Sequence, residues 1–135
     1  MIESPAQLIM ELWEQVSRQR VQYIIESYQL DGEEFDDFSD YLEDLLLAYP
    51  PPQIELAIVE TIVSSWLQIP LVKGMAFIQR THDRLKSWEN PASIDSKITP
   101  TQFRQITGLD PTPVFGDRQI SISLHSSSNI LHNRL

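Results

Sequence analysis

The sequence predicts an all-α fold: a helical bundle of four main helices plus one short C-terminal helix, followed by a flexible tail. Three observations carry that reading. Apolar residues recur every three or four positions through four consecutive stretches, each bounded by glycine or proline. Two helix-start signals are fully written, Ser4-Pro5-Ala6-Gln7 and Thr99-Pro100-Thr101-Gln102. Strict alternation occurs only at Gln119–Leu124, and a lone edge strand has nothing there to pair with.

The first helix begins at Pro5, which fits the first helical position, with Ser4 as cap and Gln7 placed to reach back. Ile9, Leu12, Trp13, Val16, Tyr23, Ile24 and Tyr28 stand at helical spacing. The pattern thins at Ser17-Arg18-Gln19-Arg20, so a weak or bent middle is expected. The helix runs to about Leu30, and Asp31-Gly32 ends it because glycine takes a positive φ without strain.

The second helix is expected over Glu33 to Ala48, with Phe35, Phe38, Leu42, Leu45, Leu46 and Tyr49 as its apolar stripe. Glu33, Glu34, Asp36 and Asp37 crowd its first turns, where the macrodipole favours negative charge. Pro50, Pro51 and Pro52 stop it, since proline has no backbone N–H to donate.

The third helix, Gln53 to Gln68, is the greasiest stretch of the chain. Its polar residues Gln53, Glu60, Ser64 and Gln68 form one narrow strip, which leaves most of the circumference free for burial. Such a helix is expected at the centre of the bundle, or in contact with a second copy. The fourth helix, Leu71 to Trp88, shows Leu71, Met75, Ile78, His82 and Leu85 along one face, with Gly74 allowing a neighbour to approach closely. Asn90 to Lys97 reads as a loop.

The short fifth helix, Pro100 to Thr107, carries a capping box, a hydrophobic staple between Ile98 and Phe103, and a closing Gly108 onto which Leu109 folds back. The helical domain is expected over residues 1–115 and the tail, rich in Ser, Asn and His, over 116–135.

At 135 residues the chain suits one domain. Zero cysteines exclude disulfides and thiolate metal sites. No apolar run reaches the roughly 18 residues of a transmembrane helix, and the acidic start lacks the basic region of a secretory signal. A cytoplasmic protein is therefore expected.

The net charge of −9 is unevenly distributed. Residues 1–60 carry −12, with Arg18 and Arg20 as their only bases, and residues 61–135 carry +3. A strongly acidic half repels phosphate and suits a basic protein partner. The residues expected to meet that partner are Glu33, Glu34, Asp36, Asp37, Asp40 and Asp44, with Phe35, Phe38, Tyr41, Leu42 and Leu45 as candidate anchors. The competing reading is a solvated acidic face over an ordinary core stripe. Lys73, Arg80, Arg84 and Lys86 give the fourth helix a basic surface, which can pair with the acidic half of the same chain or of a second copy, so a homo-oligomer is a further expectation.

Other chemistry is weakly written. Phe103, Gly108, Leu109 and Val114 fall at helix-turn-helix positions, but Pro111 and Pro113 lie in the would-be recognition helix, and that helix has no Lys or Arg before Arg118. Nucleic-acid binding through residues 100–116 is the first alternative. Asp31 to Asp37 lacks the central glycine and alternating ligands of an EF-hand. Glu60 and His82 suggest a pair across the third and fourth helices, and a small ligand- or metal-binding bundle built on them is the second alternative. No phosphate loop or nucleophile elbow is present, and neither an enzyme nor a cofactor is expected.

The segments IELAIVETIVSSWLQIPLVKGMAFI and ITPTQFRQITGLDPTPVF resemble small conserved hypothetical proteins of cyanobacteria, a group without an assigned function. That resemblance implies a bacterial cytoplasm and no site residues.

Overall fold

The structure, a computed structural model, describes residues 4–66, 68, 72–90 and 95–116. Among the described residues five helices follow one another: α1 (Pro5–Tyr28), α2 (Phe35–Ala48), α3 (Pro51–Ser65), α4 (Gly74–Ser87) and α5 (Pro100–Thr107). One further helical turn spans 112–116, and no strand occurs among the described residues. The alternation at Gln119–Leu124 and the expected tail beyond Gly116 lie outside the described residues.

α3 is the hub, packing against α4, α1, α5 and α2. Pro51 and Pro52 fill its first two positions, where no intrahelical N–H bond is required. The prolines therefore start α3 as well as ending α2, and α3 begins two residues earlier than expected. Ile54, Ala57, Ile58, Val59 and Ile62 are buried, as the wide apolar circumference requires. Around them pack Phe38, Leu42 and Leu45 of α2, Phe77, Ile78 and Leu85 of α4, and Trp88. Each of the larger side chains contributes about 1.5–3 kcal/mol on leaving water.

α1 corrects the sequence reading in two ways. Of the seven residues at helical spacing, Ile24 alone is fully buried and Tyr28 is half-buried; Ile9, Leu12, Trp13, Val16 and Tyr23 are exposed. The face that enters the core is Ser17, Val21, Ile24 and Ile25. The polar middle neither weakens nor breaks the helix, because it is where α1 grips its neighbours. Arg18 Nη1 donates to both carboxylate oxygens of Glu43 on α2, at 2.6 and 2.8 Å. Arg20 Nε donates to both oxygens of Glu55 on α3, at 3.2 and 3.1 Å, and its Nη2 donates to Glu55 Oε1 and to the Asp110 carbonyl, each at 2.8 Å.

Glu55 is 1% exposed. Burial pushes its carboxyl above the ordinary range, and the hydrogen bonds and charge of Arg20 oppose that shift. The Tyr28 hydroxyl donates to the Ile106 carbonyl and ties α1 to α5. α5 matches its sequence signal in full: both halves of the Thr99–Gln102 capping box form, and Gly108 closes the helix at φ 73°. Phe115 of the 112–116 turn packs edge-on against the buried ring of Phe103, centroids 5.8 Å apart.

α1 ends at Tyr28 with Gln29 in the left-handed region, two residues before the expected stop. The turn that follows is clamped to the start of α4. Gly74 N–H donates to the Leu30 carbonyl at 2.6 Å, and Met75 N–H donates to the Glu34 carboxylate at 3.2 Å. Gly74 has φ 67°, and a Cβ there would lie 2.3 Å from Glu34 Oε1. The close approach expected at Gly74 is thus made by a carboxylate of the α1–α2 turn rather than by a helix.

Two outcomes follow for stability. Arg20→Met leaves Glu55 buried and unpaired and costs about 3–5 kcal/mol where Glu55 is ionised. Burial raises the folded-state pKa of Glu55 and losing Arg20 raises it further, so the cost is largest at high pH and shrinks as pH falls and protonation removes the charge. Urea unfolding of parent and variant across a pH series reads the difference. Gly74→Ala, strained in φ and crowded by Glu34, costs about 1–3 kcal/mol by the same assay.

Candidate functional site

The acidic face of α2 is built by helical spacing. Phe38, Leu42 and Leu45, separated by four and three residues, turn into the core. Asp36, Asp40, Glu43 and Asp44 then project from the other side, with Asp37 beside them, and all five are exposed. Asp36 and Asp37 lie in the first turn, where the helix N-terminus stabilises them. Leu47 continues the same outer face and is 81% exposed. Three consecutive leucines hid it in the sequence: Leu45 and Leu46 face inward, and the helical turn carries Leu47 out.

The six acids named from sequence separate into two groups. Glu34 is part of the fold, its carboxylate accepting from Met75 N–H at the start of α4. Glu33, Asp36, Asp37, Asp40 and Asp44 are exposed, and none lies within ion-pair distance of a base among the described residues. Both bases of residues 1–60 are committed elsewhere, Arg18 to Glu43 and Arg20 to Glu55. The basic residues of α4 stay local too. Arg80 donates to Gln68, Lys86 pairs with Asp83, and Arg84 lies 6.0 Å from the Trp88 ring. Intrachain pairing between the acidic half and α4 is not seen among the described residues.

The proposed anchors are corrected. Phe38, Leu42 and Leu45 are buried and unavailable to a partner, and Tyr41 is half-buried against His82. Phe35 is exposed.

Glu60 and His82 do not meet. Glu60 accepts from the Ser96 hydroxyl and lines an open polar cleft of about 300 Å³ between α3 and α4, with Ser64, Arg80, Asp83 and Arg84. His82 faces α2: its Nδ1 lies 2.6 Å from the Tyr41 hydroxyl, and Tyr41 and Tyr49 flank the ring edge-on. Tyr49 donates to Glu89 at 2.7 Å, and desolvation first, then that carboxylate, pushes its phenol up to about 12. Among the described residues no three of His, Asp and Glu are grouped to hold a metal ion.

The helix-turn-helix positions resolve into α5, the Gly108 turn and the single helical turn 112–116. Five residues including Pro113 do not make a groove-reading helix, and Val114 and Phe115 are partly buried. Asp110 accepts from the backbone N–H and the hydroxyl of Thr112, which hold its carboxyl below the ordinary range. No helix among the described residues is long and apolar enough to cross a membrane. No protein-family model, curated protein or solved structure matches the chain.

The split among the acids is measurable. Glu34→Ala costs about 1 kcal/mol, because the first turn of α4 loses its carboxylate cap. The combined Asp36, Asp37, Asp40 and Asp44→Asn change stays within about 1 kcal/mol of the parent, since relieved repulsion offsets weaker macrodipole contacts. Thermal unfolding distinguishes a structural acid from the solvent-facing ones.

Proposed function

We propose that this protein is a non-enzymatic interaction or regulatory adaptor that binds a basic protein partner through the outer face of α2. The observation that supports it is the division of α2 into a buried apolar side and an exposed side on which Asp36, Asp37, Asp40 and Asp44 have no base within ion-pair distance among the described residues. A fold that had no use for this charge would relieve the repulsion by interspersing lysines, as helices commonly do. Here Arg20 is drawn inward to Glu55, and Arg18 engages Glu43 alone, which leaves Asp36, Asp37, Asp40 and Asp44 without a base in ion-pair distance among the described residues.

The chemistry is electrostatic steering followed by short-range docking. Asp36, Asp37, Asp40 and Asp44 attract a cationic surface and accelerate encounter. Leu47 at the end of the stripe supplies an apolar contact that excludes water beside the ion pairs. A partner helix or loop rich in Arg and Lys matches this geometry, with Arg favoured because it engages two carboxylate oxygens at once.

Affinity capture with the parent and with the fourfold Asp→Asn variant tests the reading. The parent retains a discrete basic protein at low salt and releases it at high salt. The variant loses it, with an association rate lower by roughly tenfold or more. A partner retained equally by both proteins would sink the proposal.

A further inference from the structure

α1 carries two apolar faces. One, at Ser17, Val21, Ile24 and Ile25, enters the bundle. The other points to solvent and includes Ile9, Leu12, Val16 and Tyr23, each between 43% and 64% exposed. With Gln19 between Val16 and Tyr23, these positions are separated by three, four, three and four residues. That is the seam of a two-stranded coiled coil, with Ile9, Val16 and Tyr23 at one core position and Leu12 and Gln19 at the other. Glu26, next in the series, ends the apolar run.

We infer that two copies of this chain pair through this seam, α1 against α1, parallel and in register. Four observations select a second copy as the occupant. First, the three–four spacing is complementary to a helix bearing the same spacing, and β-branched Ile9 and Val16 at one core position with Leu12 at the other favour two parallel strands. Second, the seam is uncharged. Its flanking positions Ala6, Leu8, Trp13, Gln15 and Gln22 are neutral, and Arg20 is turned inward to Glu55. A basic partner would find no carboxylate on it, whereas two chains of net charge −9 meet there with least repulsion.

Third, the area reaches the lower end of the range for specific interfaces, about 1,200 Å² counted over both copies. Leu8 and Trp13 border the seam and are also about half exposed. With about half of each of these six side chains free to be covered, the face offers on the order of 600 Å² per copy, against about 800 Å² in a standard interface. Fourth, pairing needs no new folding. Two heptads are marginal for an isolated coiled coil, but the inner face of α1 already fixes this segment to the bundle as a continuous helix. The seam lies well over 90° around the helix from that inner face, which places the two bundles on opposite outer sides of the pair.

Of the two places expected for the third helix, the centre of the bundle or a contact with a second copy, α3 takes the first, packing against α4, α1, α5 and α2. This association is separate from the basic partner proposed for α2, and neutralising the α2 aspartates leaves it intact.

Sedimentation equilibrium of the full chain across a dilution series, at low and high salt, tests the inference. The parent sediments at twice the chain mass, with no loss at high salt. Leu12→Glu, at a position exposed in the single chain, keeps its helical circular dichroism and weakens association by roughly a hundredfold or more, since each dimer loses two buried leucines. The chain has no native cysteine, so Ile9→Cys gives a clean register test. Oxidation links the two copies at Ile9 in a parallel pair and leaves them unlinked in an antiparallel one. A parent monomeric at every concentration overturns the inference, as does a Leu12→Glu variant that still dimerises. A dimer dissolved by salt overturns it in favour of pairing between the acidic half and α4.

Discussion

The buried contact of Arg20 with Glu55 is the constraint on which the arrangement of helices depends. α3 is apolar over most of its surface, so hydrophobic burial alone leaves its rotation poorly specified. One carboxylate on the buried side removes that freedom, because Glu55 must find a cation wherever it is placed. Arg20 satisfies it, and the same guanidinium also takes the Asp110 carbonyl. One side chain thereby links α1, α3 and the segment after α5. Desolvation consumes much of the attraction in such a pair, so its main effect is to penalise every other packing.

With that contact fixed, the two remaining surfaces of α1 and α2 acquire opposite characters. α2 turns its apolar residues inward and its carboxylates out. α1 turns a modest apolar face inward and leaves a second one exposed. The first surface discourages self-contact and invites cations; the second is neutral and invites a like helix. A pair joined through α1 would present two acidic faces at a fixed separation, so a partner with two basic segments would gain effective concentration without any new contact.

The acidic face was legible in the sequence because charge is carried by residue type, and its spacing on a helix decides which way it points. The division among its members was not. Glu34 resembles Glu33 in sequence, but Glu34 caps α4 from across the α1–α2 turn, a contact 41 residues away. Leu47 was hidden within Leu45-Leu46-Leu47, where composition suggests only core. Glu60 and His82 show the converse: both belong to a plausible sequence pair, yet α4 directs His82 toward α2 and leaves Glu60 facing Ser96.

The sequence by itself determined the helices and most of their ends. Ser4, Thr99, Gly108 and the three prolines act through the chemistry of one or two turns, which requires no knowledge of the rest of the chain. It determined the charge division for the same reason. Only the tertiary structure decided which apolar stripe of α1 meets the core. Ile9, Leu12 and Val16 are as hydrophobic as Val21, Ile24 and Ile25, and periodicity cannot rank two stripes on one helix. The choice was made by Arg20, whose position between them turns toward the only buried carboxylate in the core of the described residues. Burial is a property of the neighbours a helix meets, and those neighbours are fixed by contacts far apart in the chain.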